Sequence, residues 1–161
     1  MIGRLARMFA GSEPAISTAA SAEAASFAAL HAASFVRGWT EQEFERLLVD
    51  RAVVAHCARA GRRLAGFIVS RRVGPEAEIL SVAVARSYRG RGVAGRLLDL
   101  HLRTLAGLGT RTVFLEVDDD NTPARRLYAR RQFREVGRRQ GYYPRPEGAA
   151  SAALVLRRDL G

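Results

Sequence analysis

Glycine and arginine are concentrated in the stretch "SYRGRGVAGRLLDLHL", residues 87–102, which runs directly into an apolar segment of helical period. The first turn of a helix leaves backbone N–H groups unpaired and carries about half a positive charge. Glycine lets a ligand approach that backbone closely, and Arg89, Arg91 and Arg96 add positive charge around it. We therefore expect residues 89–95 to bind an anionic group such as a phosphate. The alternative is a plain loop followed by a helix start.

Two common nucleotide-binding motifs do not fit this turn. It lacks the lysine and the Ser/Thr with which a P-loop holds a nucleotide and its magnesium ion. It also follows a strand of an antiparallel meander, and the acidic residue of a dinucleotide fingerprint is not matched in a βαβ context. The sequence therefore argues against both classes of nucleotide site.

A carboxylate ends the apolar strand "TVFLEV", where Glu116 stands near the carboxyl edge of the predicted sheet. Burying a carboxylate there is costly unless the group is solvated or used. Glu116 is therefore a candidate functional residue, with a structural or charge-pairing role as the alternative. The acidic run 118–120 beside it is either a solvated turn or a negative patch that attracts a cationic amine.

The periodicity of the chain predicts a mixed α/β (α+β) sheet with helices on both faces. A capping box of Thr40 and Glu43 marks a helix over Thr40–Asp50, and Thr122 and Pro123 mark the N-cap and first position of a later helix. The other predicted helices are 22–34 and 92–108. The predicted strands are 51–60, 62–73, 76–85, 111–117, 134–144 and 149–160, with a further strand around Ile16. The strand–helix–strand unit around residue 100 should be parallel and right-handed.

Composition narrows the class of protein. The 161 residues fit one domain over 13–161 behind a flexible tail over 1–12. The net charge of +10, carried by arginine without any lysine, suits RNA or an anionic cofactor, although GC-rich codon usage would also favour arginine. The single cysteine, Cys57, rules out an internal disulfide and favours a cytoplasmic location. No apolar run reaches the roughly 20 residues of a membrane span, and the three histidines lack metal-ligand spacing, so we expect no metal.

The hexapeptide Arg89-Gly90-Arg91-Gly92-Val93-Ala94 fits the pattern [QR]-x-x-G-x-[GA] directly after the strand "ILSVAV". It resembles the pyrophosphate loop of the GNAT superfamily of N-acetyltransferases, which bind acetyl-coenzyme A. The resemblance runs from about residue 31 to the end and includes "HAASFVRGWTEQEF", "LEVDDDNTPARRLYARRQF" and "GYYPRPEGAASAALVL". Within the superfamily the chain most resembles the RimI family, which acetylates the N-terminal alanine of a small-subunit ribosomal protein. It departs from that family at Arg86, at Gly141 and in the longer segment "FVRGW".

This resemblance implies the GNAT fold, with a mostly antiparallel sheet in which one parallel pair of strands splays apart. It also implies two catalytic residues. Glu116 would be the base that accepts the proton of the amine, and the Tyr128 hydroxyl would protonate the departing thiolate. The alternative for Tyr128 is a core aromatic. Asn121 would bond the pantetheine arm, or else cap the helix that follows it.

The resemblance further implies where the two substrates bind. Pantetheine would pair with the backbone of Val82, Ala83 and Val84, whose N–H would also serve the oxyanion. The pyrophosphate would bind at Arg89, Gly90, Arg91, Gly92, Val93, Ala94 and Gly95. The walls of the peptide channel would be Phe35 and Trp39 on one side and Tyr142 and Tyr143 on the other, unless these aromatics only pack.

The function that follows is acetyl transfer from acetyl-coenzyme A to a protein N-terminus, with a ribosomal protein as the expected partner. One alternative keeps the chemistry and changes the acceptor to a lysine side chain, a small-molecule amine or aminoacyl-tRNA. Another is a non-catalytic module that binds acetyl-coenzyme A or RNA.

Overall fold

One sheet of seven strands, with helices packed on it, forms the described part of the chain, residues 12–143 and 150–161 of a computed structural model. The strands are β1 Ala15–Thr18, β2 Val53–Ala60, β3 Arg63–Val73, β4 Glu76–Val84, β5 Thr112–Asp118, β6 Arg134–Tyr143 and β7 Ser151–Asp159. The α-helices are α1 Ala24–Ser34, α2 Glu41–Val49, α3 Val93–Gly107 and α4 Thr122–Ala129. Short 3-10 turns precede α1 at Ser21–Glu23 and α3 at Arg86–Tyr88. The predicted order of elements is confirmed, including the strand around Ile16. The tail predicted over 1–12 lies, except for its last residue, outside the described residues.

The strands lie in the order β1-β2-β3-β4-β5-β7-β6. Strands β1 to β4 form the predicted antiparallel meander, and β5 is parallel to β4. That parallel pairing is short, because it runs only from Glu76↔Thr112 to Ile79↔Leu115. The C-terminal halves of β4 and β5 pair with β3 and β7 but not with each other. The predicted splayed pair is therefore confirmed.

A β-bulge lies in β4 where the pairing with β5 ends. Val69 of β3 pairs with Ser81 and Ser70 pairs with Ile79, so Leu80 is the extra residue. A bulge bends its strand and resets the alternation of side chains. Ile79 before the bulge and Val82 after it consequently pack on the same core. The bend carries the end of β4 away from β5.

The two faces of the sheet carry separate apolar cores. Adjacent residues of β3 divide between them, because Ile68 packs under α3 whereas Phe67 and Val69 pack under α1 and α2. Phe27 of α1 stacks on Phe67 with ring centroids 4.4 Å apart, and Phe44 of α2 meets both rings edge-on. Leu97, Leu98, Leu102 and Leu105 of α3 are buried, as their spacing predicts. The prediction of helices on both faces is confirmed.

Local capping explains where α2 and α4 begin. Glu43 N donates to Thr40 Oγ1 (3.1 Å) and Thr40 N donates to Glu43 Oε2 (2.6 Å), which confirms the capping box. The prediction that Thr122 caps α4 is wrong by one residue. Asn121 is the N-cap, because its side-chain oxygen accepts from Ala124 N at 3.2 Å. Thr122 and Pro123 are therefore the first two helical residues.

His101 is more deeply buried than the partial burial that its position on α3 predicts. It is fully buried, with Nε2 2.6 Å from Ser70 Oγ and Nδ1 2.8 Å from His56 Nδ1. Both ring nitrogens thus have partners, and a polar side chain with its hydrogen bonds satisfied can enter a core. Burial, aided by His56, lowers the pKa of His101 to about 3. The ring is therefore neutral and ties α3 to β2 and β3.

Candidate functional site

The glycine-arginine turn at the start of α3 presents bare backbone. Gly90 has φ 74° and Gly92, the N-cap of α3, has φ 77°, both in the left-handed region that favours glycine. A Cβ added at either position would meet no heavy atom within 4 Å. Nothing in the described structure therefore covers the first turn of α3 at these two residues, as an anion site requires.

The arginines of the turn have different partners. Arg89 Nε donates to the carbonyl oxygen of Val84 (3.0 Å), and the Arg91 guanidinium lies 5.5 Å from the centre of the Tyr88 ring. Neither arginine forms an ion pair with any residue that the structure describes. Arg96 does, because its Nη1 lies 3.1 Å from Glu13 Oε1 and also donates to Pro14 O. Glu13 thus offsets the charge of Arg96, and the positive charge left for an anion is that of Arg89 and Arg91.

The remaining residues of the predicted turn belong to α3 itself. Val93 is buried in the core under α3, and Ala94 is half-buried. Gly95 is also buried, and a Cβ there would lie 3.1 Å from Arg131 Cζ and closer still to Nη2. A side chain at Gly95 would therefore meet Arg131, unlike one at Gly90 or Gly92.

The end of β4 borders the gap left by β5. Val82, Ala83 and Val84 pair with β3 along one edge, and their other edge faces the diverging β5. Their side chains pack in the two cores, as expected for these residue types. The main chain of this segment is the part that could bind a ligand, and the Val84 carbonyl already accepts from Arg89.

Glu116 is the first residue of β5 beyond its last pair with β4. Its neighbours Leu115 and Val117 point into the core under α3, so its side chain lies on the opposite face of the sheet. The Glu116 side chain is 27% exposed, and its Oε1 lies 3.4 Å from Arg139 Nη2. The Arg139 guanidinium in turn lies 5.2 Å from the centre of the Tyr142 ring.

Sequence reasoning missed Arg139. Its proximity to Glu116 depends on the sheet register, because Glu116 pairs with Val155 while Arg139 pairs with the nearby Ala153 of the same intervening strand. Nothing in the local sequence around either residue signals that contact. The structure thus joins Glu116 with one of the predicted channel residues, Tyr142, through an arginine that no motif marks.

Tyr128 lies on α4 and is 7% exposed. Its ring meets Phe133 edge-on with centroids 5.6 Å apart and packs in the core under α3. Asn121 caps the same helix, so the capping role considered for it is observed. Tyr128 and Glu116 therefore approach the sheet from opposite faces.

The predicted channel aromatics Phe35 and Trp39 follow α1, and His31 holds them. The His31 ring lies 4.3 Å from the Phe35 ring and 4.5 Å from the Trp39 ring, centroid to centroid. Trp39 N donates to His31 Nδ1 at 3.0 Å. Burial lowers the pKa of His31, and the nearby Glu43 opposes this with a smaller effect. The lowered pKa keeps the ring neutral, so Nδ1 can accept the hydrogen bond from Trp39 N. The Phe35 ring remains 42% exposed.

The last hairpin supplies the other predicted channel residues. Tyr142 is 48% exposed beside Arg139. The backbone of Tyr143 pairs with Ser151, whereas the prediction for the Tyr143 side chain lies outside the described residues. The segment that follows, 144–149, lies outside them as well.

The acidic run after Glu116 is a turn held by hydrogen bonds. Asp118 Oδ1 accepts from Asp120 N at 2.9 Å, and Asp119 is paired with both Arg125 (2.9 Å) and Arg138 (3.0 Å). These pairs favour the structural interpretation of the run. Within residues 12–143 and 150–161 no group of three His, Cys, Asp or Glu side chains could hold a metal ion. No helix of those residues is both long and apolar enough to cross a membrane.

Comparison with known proteins places this chain in a family. Residues 24–133 match the model of the acetyltransferase (GNAT) family. The N-alpha-acetyltransferase RimI of Mycobacterium tuberculosis is 36% identical over 161 residues, which cover 96% of this chain and 98% of that protein. A ribosomal protein bS18-alanine N-acetyltransferase of Haemophilus influenzae is 35% identical over 94 residues, 58% of this chain and 64% of that protein. This second alignment thus spans less than two thirds of that relative.

Two solved structures share the fold at low identity. The ribosomal-protein-S18-alanine N-acetyltransferase of Escherichia coli superposes with a TM-score of 0.85 at 23% identity, covering 92% of this chain and 94% of that one. NAA60 of Arabidopsis thaliana in complex with acetyl-CoA superposes with a TM-score of 0.78 at 21% identity, covering 91% and 98%. With the family model covering most of the sequence and a relative aligned along nearly its whole length, this chain belongs to the acetyltransferase (GNAT) family.

Proposed function

We propose that this enzyme transfers the acetyl group of acetyl-coenzyme A to the N-terminal α-amino group of a protein, with the N-terminal alanine of a small-subunit ribosomal protein as its acceptor. The observation that carries the proposal is the position of Glu116. It stands at the first residue past the paired part of β4 and β5, with its carboxylate partly exposed. The relatives named for alanine N-acetylation support the choice of acceptor.

The residues of the α3 turn fit the diphosphate of coenzyme A. Left-handed glycines at 90 and 92 leave room above the first turn of α3, and the unpaired amides of that turn are suited to bind phosphate oxygens. Arg89 and Arg91 would add positive charge without an acidic competitor among the described residues. Val82 to Val84 would hold the pantetheine through the main-chain edge that β5 leaves open.

When bound, acetyl-coenzyme A supplies an activated thioester, and the protein supplies the proton transfers around it. An α-amino group has a pKa of about 7.7–8.0, so a carboxylate, directly or through water, is a sufficient base. Glu116 would accept that proton on one face of the sheet. The Tyr128 hydroxyl would donate a proton to the leaving sulfur from the other, and a backbone N–H of residues 82–84 would donate to the oxygen that gains charge.

The acceptor would reach Glu116 between two groups of aromatic side chains. Phe35 and Trp39, fixed by His31, would form one wall, and Tyr142 with Tyr143 the other. Arg139, which pairs with Glu116 and also lies against the Tyr142 ring, would have to yield to the incoming amine. The net charge of +10 would suit an acceptor among RNA-associated proteins in the cytoplasm, and residues 13–161 would act as one domain.

The test is acetyl transfer to two synthetic peptides. One copies the alanine-first terminus of the ribosomal protein, and the other has a blocked terminus and a free lysine. We expect turnover on the first peptide only, lost in Glu116→Gln and reduced in Tyr128→Phe. Turnover on the lysine peptide would make the enzyme a lysine acetyltransferase. No turnover on either peptide, with coenzyme A still bound, would move the acceptor to a small-molecule amine or aminoacyl-tRNA.

A further inference from the structure

We infer that Arg131 is a positioning residue that fixes α4 against the first two turns of α3 and so sets where Tyr128 stands relative to the proposed phosphate-binding turn. The catalytic consequence rests on the proposed function, whereas the fixation itself does not. No motif of the family assigns this arginine a role in the sequence, and it lies outside the residues placed above in the reaction.

The side-chain contacts of Arg131 reach three parts of the two helices. Its Nε donates to Asp99 Oδ1 at 2.8 Å and its Nη2 donates to Asp99 Oδ2 at 3.3 Å, so one edge of the guanidinium forms two hydrogen bonds with the α3 carboxylate. Nη1 also donates to the Leu127 carbonyl of α4 at 3.4 Å. The side chain is only 21% exposed. Two parallel bonds from a planar group fix direction as well as distance.

Gly95 is the surface on which the guanidinium rests. A Cβ at Gly95 would lie 3.1 Å from Arg131 Cζ and closer still to Nη2, so any side chain there would push the guanidinium away. Gly95 lies in the first turn of α3 and has no positive φ, and no open space surrounds it, so neither a left-handed backbone nor an open cleft calls for glycine at this position. Contact with Arg131 accounts for the glycine.

Backbone hydrogen bonds link Arg131 to Tyr128. Arg131 N and Phe133 N both donate to the Tyr128 carbonyl, at 3.0 and 3.1 Å. Between them Gln132 has φ 66°, the one non-glycine residue with a positive φ in the described part of the chain. The eight-residue α4 is too short to be stable without tertiary contacts. The C-terminal end of α4 is therefore stabilised by this turn and by the hydrogen bonds of Arg131 to Asp99.

The expected consequence is a loss of turnover rather than of cofactor binding. Displacing a catalytic group by about 1 Å can lower a rate about a hundredfold, whereas the Gly90–Gly92 backbone would stay in place. We expect Arg131→Gln to lower kcat by at least about tenfold and to leave the coenzyme A Kd within about threefold. Arg130→Gln is the matched control, because it removes the same charge from the exposed neighbouring position.

Gly95→Ala tests the contact itself. The added methyl group should expel the guanidinium, so Gly95→Ala alone should lower kcat about as far as Arg131→Gln. The double variant should then be no slower than Arg131→Gln, because the contact is already lost. Losses that multiply in the double variant would overturn the inference. A loss of coenzyme A affinity that parallels the loss of kcat in Arg131→Gln would make Arg131 a ligand of the cofactor instead.

Hydrogen exchange separates this inference from the proposed function. The amides of residues 121–133 should exchange faster in Arg131→Gln than in the wild type or in Arg130→Gln. Unchanged exchange there would refute the fixation of α4 whatever the activity. An enzyme that acetylates no peptide would refute the proposed function, and the exchange result would still decide the role of Arg131.

Discussion

Acidification should destabilise the fold through His101. The pKa of this ring is about 3 in the folded state against an ordinary value of 6.5, mainly because the ring is buried and secondarily because His56 lies beside it. Below pH 6.5 His101 binds a proton in the unfolded chain but stays neutral in the folded chain. The free energy of unfolding therefore decreases as the pH falls from 6.5 towards 3. The pKa of the ring in the unfolded chain is about 1.5 units above pH 5, so the free energy of unfolding should be about 2 kcal/mol lower at pH 5 than at neutral pH. Between pH 7 and 8 the same group contributes almost nothing.

Urea unfolding at pH 7 and pH 5, followed by the fluorescence of the single tryptophan, Trp39, would measure this loss. Because other groups also titrate, the informative quantity is the difference between the wild type and His101→Gln. Glutamine is neutral in both states, so this variant should lose about 2 kcal/mol less between the two pH values than the wild type. His101→Gln can be less stable at every pH without affecting that comparison. An equal loss in both proteins would show that His101 is not the group responsible.

The remaining predictions concern the turn, the Glu116 pair and the core. Gly92→Ala should lower the free energy of unfolding by about 1–2 kcal/mol, because alanine disfavours a left-handed backbone, and should weaken coenzyme A binding measured by calorimetry. Gly74→Ala is the control, since Gly74 has φ 57° in the β3–β4 turn; it should lower the free energy of unfolding by the same amount and leave binding unchanged. Arg139→Gln should change the free energy of unfolding by less than about 1 kcal/mol and lower the KM of the acceptor peptide, since the competitor for Glu116 is gone. A raised KM would contradict that competition. Phe27→Ala, which removes a fully buried ring, should cost about 3–5 kcal/mol in chemical denaturation.

The elements of this fold could be predicted from the sequence because their signals are local. The Thr40 capping box, the alternating strands and the leucine stripe of α3 each lie within one or two turns or one strand. The misassigned N-cap of α4 has the same origin. Asn121 and Thr122 are both good N-cap residues, and the sequence does not reveal which of the two is the N-cap and which is the first helical residue.

Several contacts at the candidate site and in the core could not be predicted because they are long-range. Arg131 reaches Asp99 across 32 residues and His56 reaches His101 across 45. Arg139 meets Glu116 only through the register of two strand pairs. The splaying of β4 from β5 was predicted from the family resemblance alone, since no local pattern announces that two strands will diverge.

The glycines of the turn show most directly what a motif conveys and what it omits. In the sequence, Gly90, Gly92 and Gly95 look like one repeated requirement of an anion-binding loop. In the structure, Gly90 and Gly92 have a left-handed backbone with open space around them, whereas Gly95 lies against the guanidinium of Arg131. Alanine at Gly92 should therefore weaken coenzyme A binding directly. Alanine at Gly95 should slow turnover only while Arg131 is present, because removing that arginine removes the reason for the glycine.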